Sequence, residues 1–188
     1  MTDLIPLTAL GGDAAADRRF GAIRLTERPE IALASLALRR GAAYPAPFGL
    51  ALPGPGQWAQ APGVSAFWTG PDQWMIEAPG RAAEDFAALL ADQAPGCTIT
   101  EQTDAFSVVE IASEAGPAPL IRLLEKLVNL NLHGFAPGCA TRTGLHHTSV
   151  FVIRRSPDCV AVIGMRSFAA ALWHALELAA TQQEAAAT

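Results

Sequence analysis

The order of local signals along the chain predicts an α+β fold with antiparallel sheets and helices packed on one face. Three observations carry this expectation. Strand-like runs come in pairs joined by short turns. Amphipathic helical stretches follow such pairs instead of alternating with single strands. The coarse order, strand–strand–helix and then strand–helix–strand–strand–helix, reads as two successive cycles. A parallel doubly wound sheet needs strict alternation of strand and helix, which this chain lacks.

Taken in order, residues 1–22 are rich in Ala, Gly and Asp with weak periodicity, and are expected to form a flexible N-terminal arm. From Ile23 to Leu38 the apolar alternation around Ile31 and Leu33 suits a strand. Proline and glycine then dominate "GAAYPAPFGLALPGPGQWAQAPG", which forbids a long helix or an unbroken central strand because proline lacks the ladder donor. "VSAFW-TGPDQ-WMIEAP" predicts a β-hairpin, its arms filled by aromatic and β-branched residues and its turn supplied by Gly-Pro-Asp. By strand alternation Trp74, Ile76 and Ala78 share one face, expected to be core. Met75 and Glu77 share the other, expected to be a more exposed or subunit-facing edge.

"RAAEDFAALLAD" places Phe86, Leu89 and Leu90 at helical spacing, and Pro95-Gly96 ends that helix. The second cycle starts with two strand-like stretches in "TITEQTDAFSVVEIAS". The helix "APLIRLLEKLVN" follows, with Leu120, Leu123, Leu124 and Leu127 on one face. "NLNLHGFAPGCATRTG" is an irregular connection. "HTSVFVIRR" and "CVAVIGM" read as strands joined at Ser156-Pro157-Asp158, and Ser167 stands where an N-cap belongs before "FAAALWHALELAATQQ". The expected organisation is one domain over residues 23–180, built from two subdomains of about 23–97 and 98–180. A disordered tail over 181–188 completes it.

Composition narrows the function. The chain has 188 residues, is 51% hydrophobic and only 16% charged, against about 25% in an average globular domain. Such a sparse charge complement fits a surface partly buried by partners. A net charge of −5 with a single lysine, Lys126, argues against nucleic acid, whose phosphates require clustered cations, and against anionic membranes. No apolar run approaches the roughly 18 residues that span a bilayer. "MTDLIPLTALGG" lacks the basic region of a signal peptide, and the expectation is a cytoplasmic protein. Cys97, Cys139 and Cys159 are an odd number without CxxC spacing, hence free thiols.

The search for catalytic, cofactor-binding and metal-ligating residues assigns none. His146-His147 opens a predicted strand, so the two side chains point to opposite faces, and His133 and His174 lie far away in sequence. Cys139, near Arg142 and the two histidines, is the most suggestive thiol, but no GxSxG elbow or GxGxxG loop occurs. Trp173 lies on the apolar stripe of the last helix and reads as core. Arg166, just before that helix, reads as a surface arginine or an anion contact.

Four motifs in register carry a resemblance. "TGPDQWMIEAPG", "TEQTDAFSVVEI", "GPAPLIRLLEKLVNLNLHGFAPGCATRT" with His146 after it, and "MRSFAAALWHAL" occur in this order between about Val64 and Leu178. The pattern resembles the gamma subunit of heterotetrameric sarcosine oxidase. Val128 and Asn129 stand where that family shows Gly-Cys, Asn131 where it shows Asp, and "EQTDAFSVV" shifts the acid of the second motif. The resemblance implies the fold of the folate-binding aminomethyltransferase (T-protein) superfamily without its catalytic set. It implies a non-catalytic chain partnered by alpha, beta and delta subunits. FAD, FMN and NAD would sit in the alpha and beta partners, and tetrahydrofolate in a T-protein-like part of alpha. That complex oxidatively demethylates sarcosine to glycine, giving hydrogen peroxide and formaldehyde or methylene-tetrahydrofolate. The alternative is a free-standing folate-binding protein of the T-protein and YgfZ-like superfamily acting in one-carbon metabolism.

Overall fold

The computed structural model describes residues 6–185. In chain order the strands of the first half are β1 (Asp17–Phe20), β2 (Ile23–Glu27), β3 (Ile31–Leu38), β4 (Trp58–Ala61), β5 (Val64–Gly70) and β6 (Gln73–Pro79), followed by helix α1 (Phe86–Gln93). Then come β7 (Cys97–Glu101), β8 (Phe106–Ser113), helix α2 (Pro117–Leu127), β9 (Ala140–Leu145), β10 (Thr148–Ser156), β11 (Cys159–Met165) and helix α3 (Ala169–Ala185). Two antiparallel sheets result, in the orders β1-β2-β8-β11-β10-β9 and β4-β5-β6-β3-β7. The α+β expectation holds.

Each sheet carries helices on one face and the other sheet on its opposite face. Under α2 and α3 the larger sheet buries Ile23, Leu25, Val109 and Ile111 against Leu120, Leu123, Leu124, Leu172 and Leu176. Under α1 the smaller sheet buries Leu36, Trp74 and Ile76 against Phe86 and Leu90. The two remaining faces meet: Ile31, Leu33, Phe67 and Met75 pack on Val108, Ile153, Ala161 and Ile163. Strands covered on both sides read as near-continuous apolar runs, and β3 (IALASLAL) and β11 (CVAVIGM) are written that way.

Local chemistry explains most boundaries. Asp85 caps α1 by accepting from the Ala88 amide at 3.0 Å, a device that contributes about 1 kcal/mol. Pro117 opens α2 at the one turn where its missing N–H costs nothing. The β5–β6 hairpin forms as expected around Pro71-Asp72, with Asp72 in the left-handed region (φ 55°). A bulge at Thr69 brings Trp68 opposite Trp74.

Several expectations are corrected. The stretch from Ile23 to Leu38 is two strands in different sheets, because the chain turns at residues 28–30 and crosses from one layer to the other. The sheets therefore do not divide at residue 97: β2 joins the larger sheet, and β7 pairs with β3 in the smaller one. Residues 17–20 are not a loose arm but edge strand β1, paired with β2. Ser167 is no N-cap, since Arg166–Phe168 form a 3-10 turn leading into α3. Residues 181–185 continue α3, and the remainder of the expected tail, 186–188, lies outside the described residues. Among the described residues no helix is long and apolar enough to cross a membrane.

Candidate functional site

The residues singled out for chemistry are dispersed. Cys139 precedes β9 and His146 follows its last residue, so the strand between them separates the pair by about 20 Å, far beyond hydrogen-bond reach. His146 does not open a strand. It sits with His147 in the two-residue turn between β9 and β10, with φ 50°, where both side chains are exposed. Arg142 lies on edge strand β9, donates to Ser149 Oγ at 2.8 Å and stacks over Phe151 at 5.8 Å. The Sγ of Cys139 contacts the Gly134 carbonyl at 3.7 Å. His133 and His174 are exposed on a loop and on α3, and Trp173 is buried in the core under α3. Burial pushes the thiols of Cys97 and Cys159 above the usual range, so neither is a ready thiolate at neutral pH.

What the structure does bring together is a chain of charges between the sheets. Glu77 on β6 is fully buried and accepts from Trp58 Nε1 at 3.1 Å, Ser65 Oγ at 2.9 Å and Arg155 Nη2 at 2.7 Å. Arg155 on β10 reaches Glu110 of β8 at 3.5 Å and lies 5.9 Å over the Trp58 ring. Glu110 also pairs with Arg28, and Arg28 with Glu30 at 2.6 Å. Strand alternation explains the meeting. Glu77 shares the face of Met75, Glu110 that of Val108 and Arg155 that of Ile153, and all three faces point into the gap between the sheets. The expectation that Met75 and Glu77 are exposed or subunit-facing is thus overturned: the second sheet covers them. The one hint in the sequence was a lone carboxylate inside an otherwise apolar strand, in both QWMIEAP and FSVVEIAS.

Two concavities open on the surface. The aromatic one, about 350 Å³, is formed by the tryptophan hairpin and the proline-rich loop. Trp74 Nε1 donates to the Pro53 carbonyl at 2.7 Å, and Tyr44 stands edge-on to Trp74 with centroids 5.8 Å apart. The Tyr44 hydroxyl donates to Asp72 at 2.6 Å, which raises its pKa above the ordinary tyrosine value. Trp74 is spent on core packing, as expected. The larger concavity, a cleft of about 520 Å³, lies where the chain crosses between the sheets at residues 28–31. Its floor includes Phe106, Ser107 and Val108, and one wall is the N-terminal arm. That arm is held by Glu27, buried, whose two carboxylate oxygens accept from the amides of Leu10 and Ala16, each at 3.1 Å. Arg166 donates to the Leu7 carbonyl at 2.9 Å. Position 166 therefore ties the arm to the start of α3, and the nearest acid is Asp104 at 3.7 Å.

No family model and no curated protein matches the chain. Among solved structures it is similar to a chain of the heterotetrameric sarcosine oxidase from Corynebacterium sp. U-96, solved in complex with pyrrole 2-carboxylate. The identity is 22% and the TM-score 0.74, over 89% of this chain and 88% of that one. It is also similar to the glycine cleavage system aminomethyltransferase T from Bartonella henselae, at 18% identity and a TM-score of 0.56 over 81% of this chain. The likeness covers 44% of that enzyme, so this chain spans less than half its length. At these identities the likeness is one of fold: two stacked antiparallel sheets with outer helices, shared with a sarcosine oxidase chain and with part of an aminomethyltransferase.

Proposed function

We propose that this chain is the gamma subunit of a heterotetrameric sarcosine oxidase complex, a non-catalytic partner of its alpha, beta and delta chains. The observation that carries the proposal is mutual coverage. The likeness spans nearly nine-tenths of both this chain and the sarcosine oxidase chain, whereas it reaches under half of the aminomethyltransferase. The fold is shared over nearly the whole of the sarcosine oxidase chain and at the higher TM-score, which favours that chain's place over the aminomethyltransferase's.

The placement of the polar residues supports the same reading. Cys139, Arg142 and His146 do not converge, and the buried carboxylate of Glu77 is saturated by three donors. A pterin offers an N–H pair to a carboxylate and a flat ring to an aromatic. In the larger cleft both oxygens of Glu27 are taken by backbone amides and Glu30 is paired with Arg28, while Asp13 and Asp104 also line it and its one aromatic lining residue is Phe106. On this reading tetrahydrofolate, FAD, FMN and NAD belong to partner chains, in which the oxidative demethylation of sarcosine takes place.

Co-expression with the alpha, beta and delta chains, followed by size-exclusion chromatography, tests the proposal. A single complex containing this chain in equal ratio is the expected result. A stable monomer that ignores those chains and binds tetrahydrofolate would sink it.

A further inference from the structure

The aromatic concavity at the tryptophan hairpin has a chemistry of its own. It encloses about 350 Å³, at the small end of ligand pockets, and is lined by Tyr44, Trp68, Trp74 and three prolines. Trp74 is only 3% exposed and is held in the core. The accessible ring surface therefore belongs to Tyr44, 66% exposed, and to Trp68, partly exposed on the strand facing Trp74. Asp72 is the one charged residue of the lining, and no lysine or arginine accompanies it. Its Oδ1 accepts from the Tyr44 hydroxyl at 2.6 Å, which holds ring and carboxylate side by side. No other described residue bonds to this side chain, so Oδ2 is open.

We propose that this concavity binds a small N-methylated ammonium ion, with its charge on Asp72 and its methyl groups on Tyr44 and Trp68. The site stands independently of the assembly reading. Each part of the lining selects for this class. Aromatic faces carry the negative side of their quadrupole and attract a cation whose methyl surface is weakly hydrated. The open Asp72 oxygen accepts an N–H, and methyl groups in place of the other hydrogens leave no donor unmet against the apolar walls. An anionic ligand would meet Asp72 with no lining cation to offset the repulsion. A neutral apolar one would desolvate the carboxylate without compensation. A docked protein segment needs a broader apolar rim. Of the six large apolar side chains exposed among the described residues, only Tyr44 lines this site.

Titration of the full-length chain with trimethylammonium at constant ionic strength, followed by tryptophan fluorescence, tests the proposal. Saturable binding in the millimolar range is the expected result. tert-Butanol, a neutral molecule of similar shape with one O–H, should bind at least about tenfold more weakly, and so should the ammonium ion, which lacks methyl groups. Asp72→Asn keeps the shape and suits the same left-handed backbone (φ 55°), so the fold should persist while affinity falls at least about tenfold. Tyr44→Leu should weaken binding about three- to tenfold, and Tyr44→Phe, which retains the ring, should weaken it less. Three results overturn the proposal: no saturation, tert-butanol binding as tightly as the cation, or unchanged affinity in Asp72→Asn. The titration is repeated on the complex co-expressed with the alpha, beta and delta chains, where the same affinity is expected. Exclusion of the cation by those chains gives the pocket to a partner's side chain and overturns the small-molecule assignment.

Discussion

Glu77 on β6 and Arg155 on β10 belong to different sheets, yet their side chains meet at 2.7 Å in the layer between them. Trp58 and Ser65 supply the other donors to Glu77, so the carboxylate is desolvated but fully satisfied. This pair fixes how the two sheets stack more sharply than methyl packing alone, since apolar faces tolerate sliding and a three-donor carboxylate does not.

Removing one member should therefore cost far more than an exposed ion pair would. Arg155→Met is expected to destabilise the fold by about 3–5 kcal/mol, because it strands a buried charge. Adding Glu77→Leu to Arg155→Met should recover a large part of that loss. Urea denaturation of the two single variants and the double variant checks the coupling.

Trp74→Ala should cost about 3–5 kcal/mol, as expected for a large buried aromatic. The variant also frees the Pro53 carbonyl and removes the wall on which Tyr44 rests. Chemical denaturation gives the answer. A variant as stable as wild type would refute the structural role of the tryptophan hairpin.

Tyr44 is the one tyrosine of the chain, so its titration is readable by ultraviolet absorbance. Its bond to Asp72 favours the protonated phenol, which places its pKa above that of a free tyrosine. The folded state thus holds this proton more tightly than the unfolded one. The associated stabilisation is complete below the unfolded pKa and is lost as pH rises through the folded value. Asp72→Asn should bring the titration back toward the free value.

Glu27→Ala should release the N-terminal arm without unfolding the sheets. The amides of Leu10 and Ala16 lose their acceptor, and their hydrogen exchange should accelerate well beyond that of the β3 and β6 amides. The expected loss of global stability is about 1–3 kcal/mol. Unchanged protection at both amides would show that the arm is held by other contacts.

Cys97 and Cys159 should react slowly with a thiol reagent at pH 8 in the folded protein, since burial holds both protonated. Unfolding should expose all three cysteines to full labelling. Mass spectrometry of native and denatured samples distinguishes the sites.

Much of this fold was legible in the chain. Period-two alternation placed Trp74, Ile76 and Ala78 on one face, helical spacing placed Leu120, Leu123 and Leu124 on another, and Pro71-Asp72 marked the hairpin turn. These are local properties, decided within a turn or a strand by sterics and by the separation of apolar from polar residues. The same alternation grouped Met75 with Glu77 correctly but could not say what would cover them.

That second question belongs to tertiary structure alone. Whether a face meets water or another sheet depends on strands far apart in the chain, here β6 with β8 and β10, which no local pattern encodes. For the same reason the crossing at residues 28–30, which sends β2 and β3 to different sheets, looked like the middle of one extended stretch. The 520 Å³ cleft at that crossing exists only because long-range pairing brings residues 6–31, 80–83, 103–108 and Arg166 together. Sequence by itself determined which residues could share a face, because side-chain direction follows from backbone geometry. Tertiary structure decided which faces are buried, because burial is a relation between elements and not a property of any one of them.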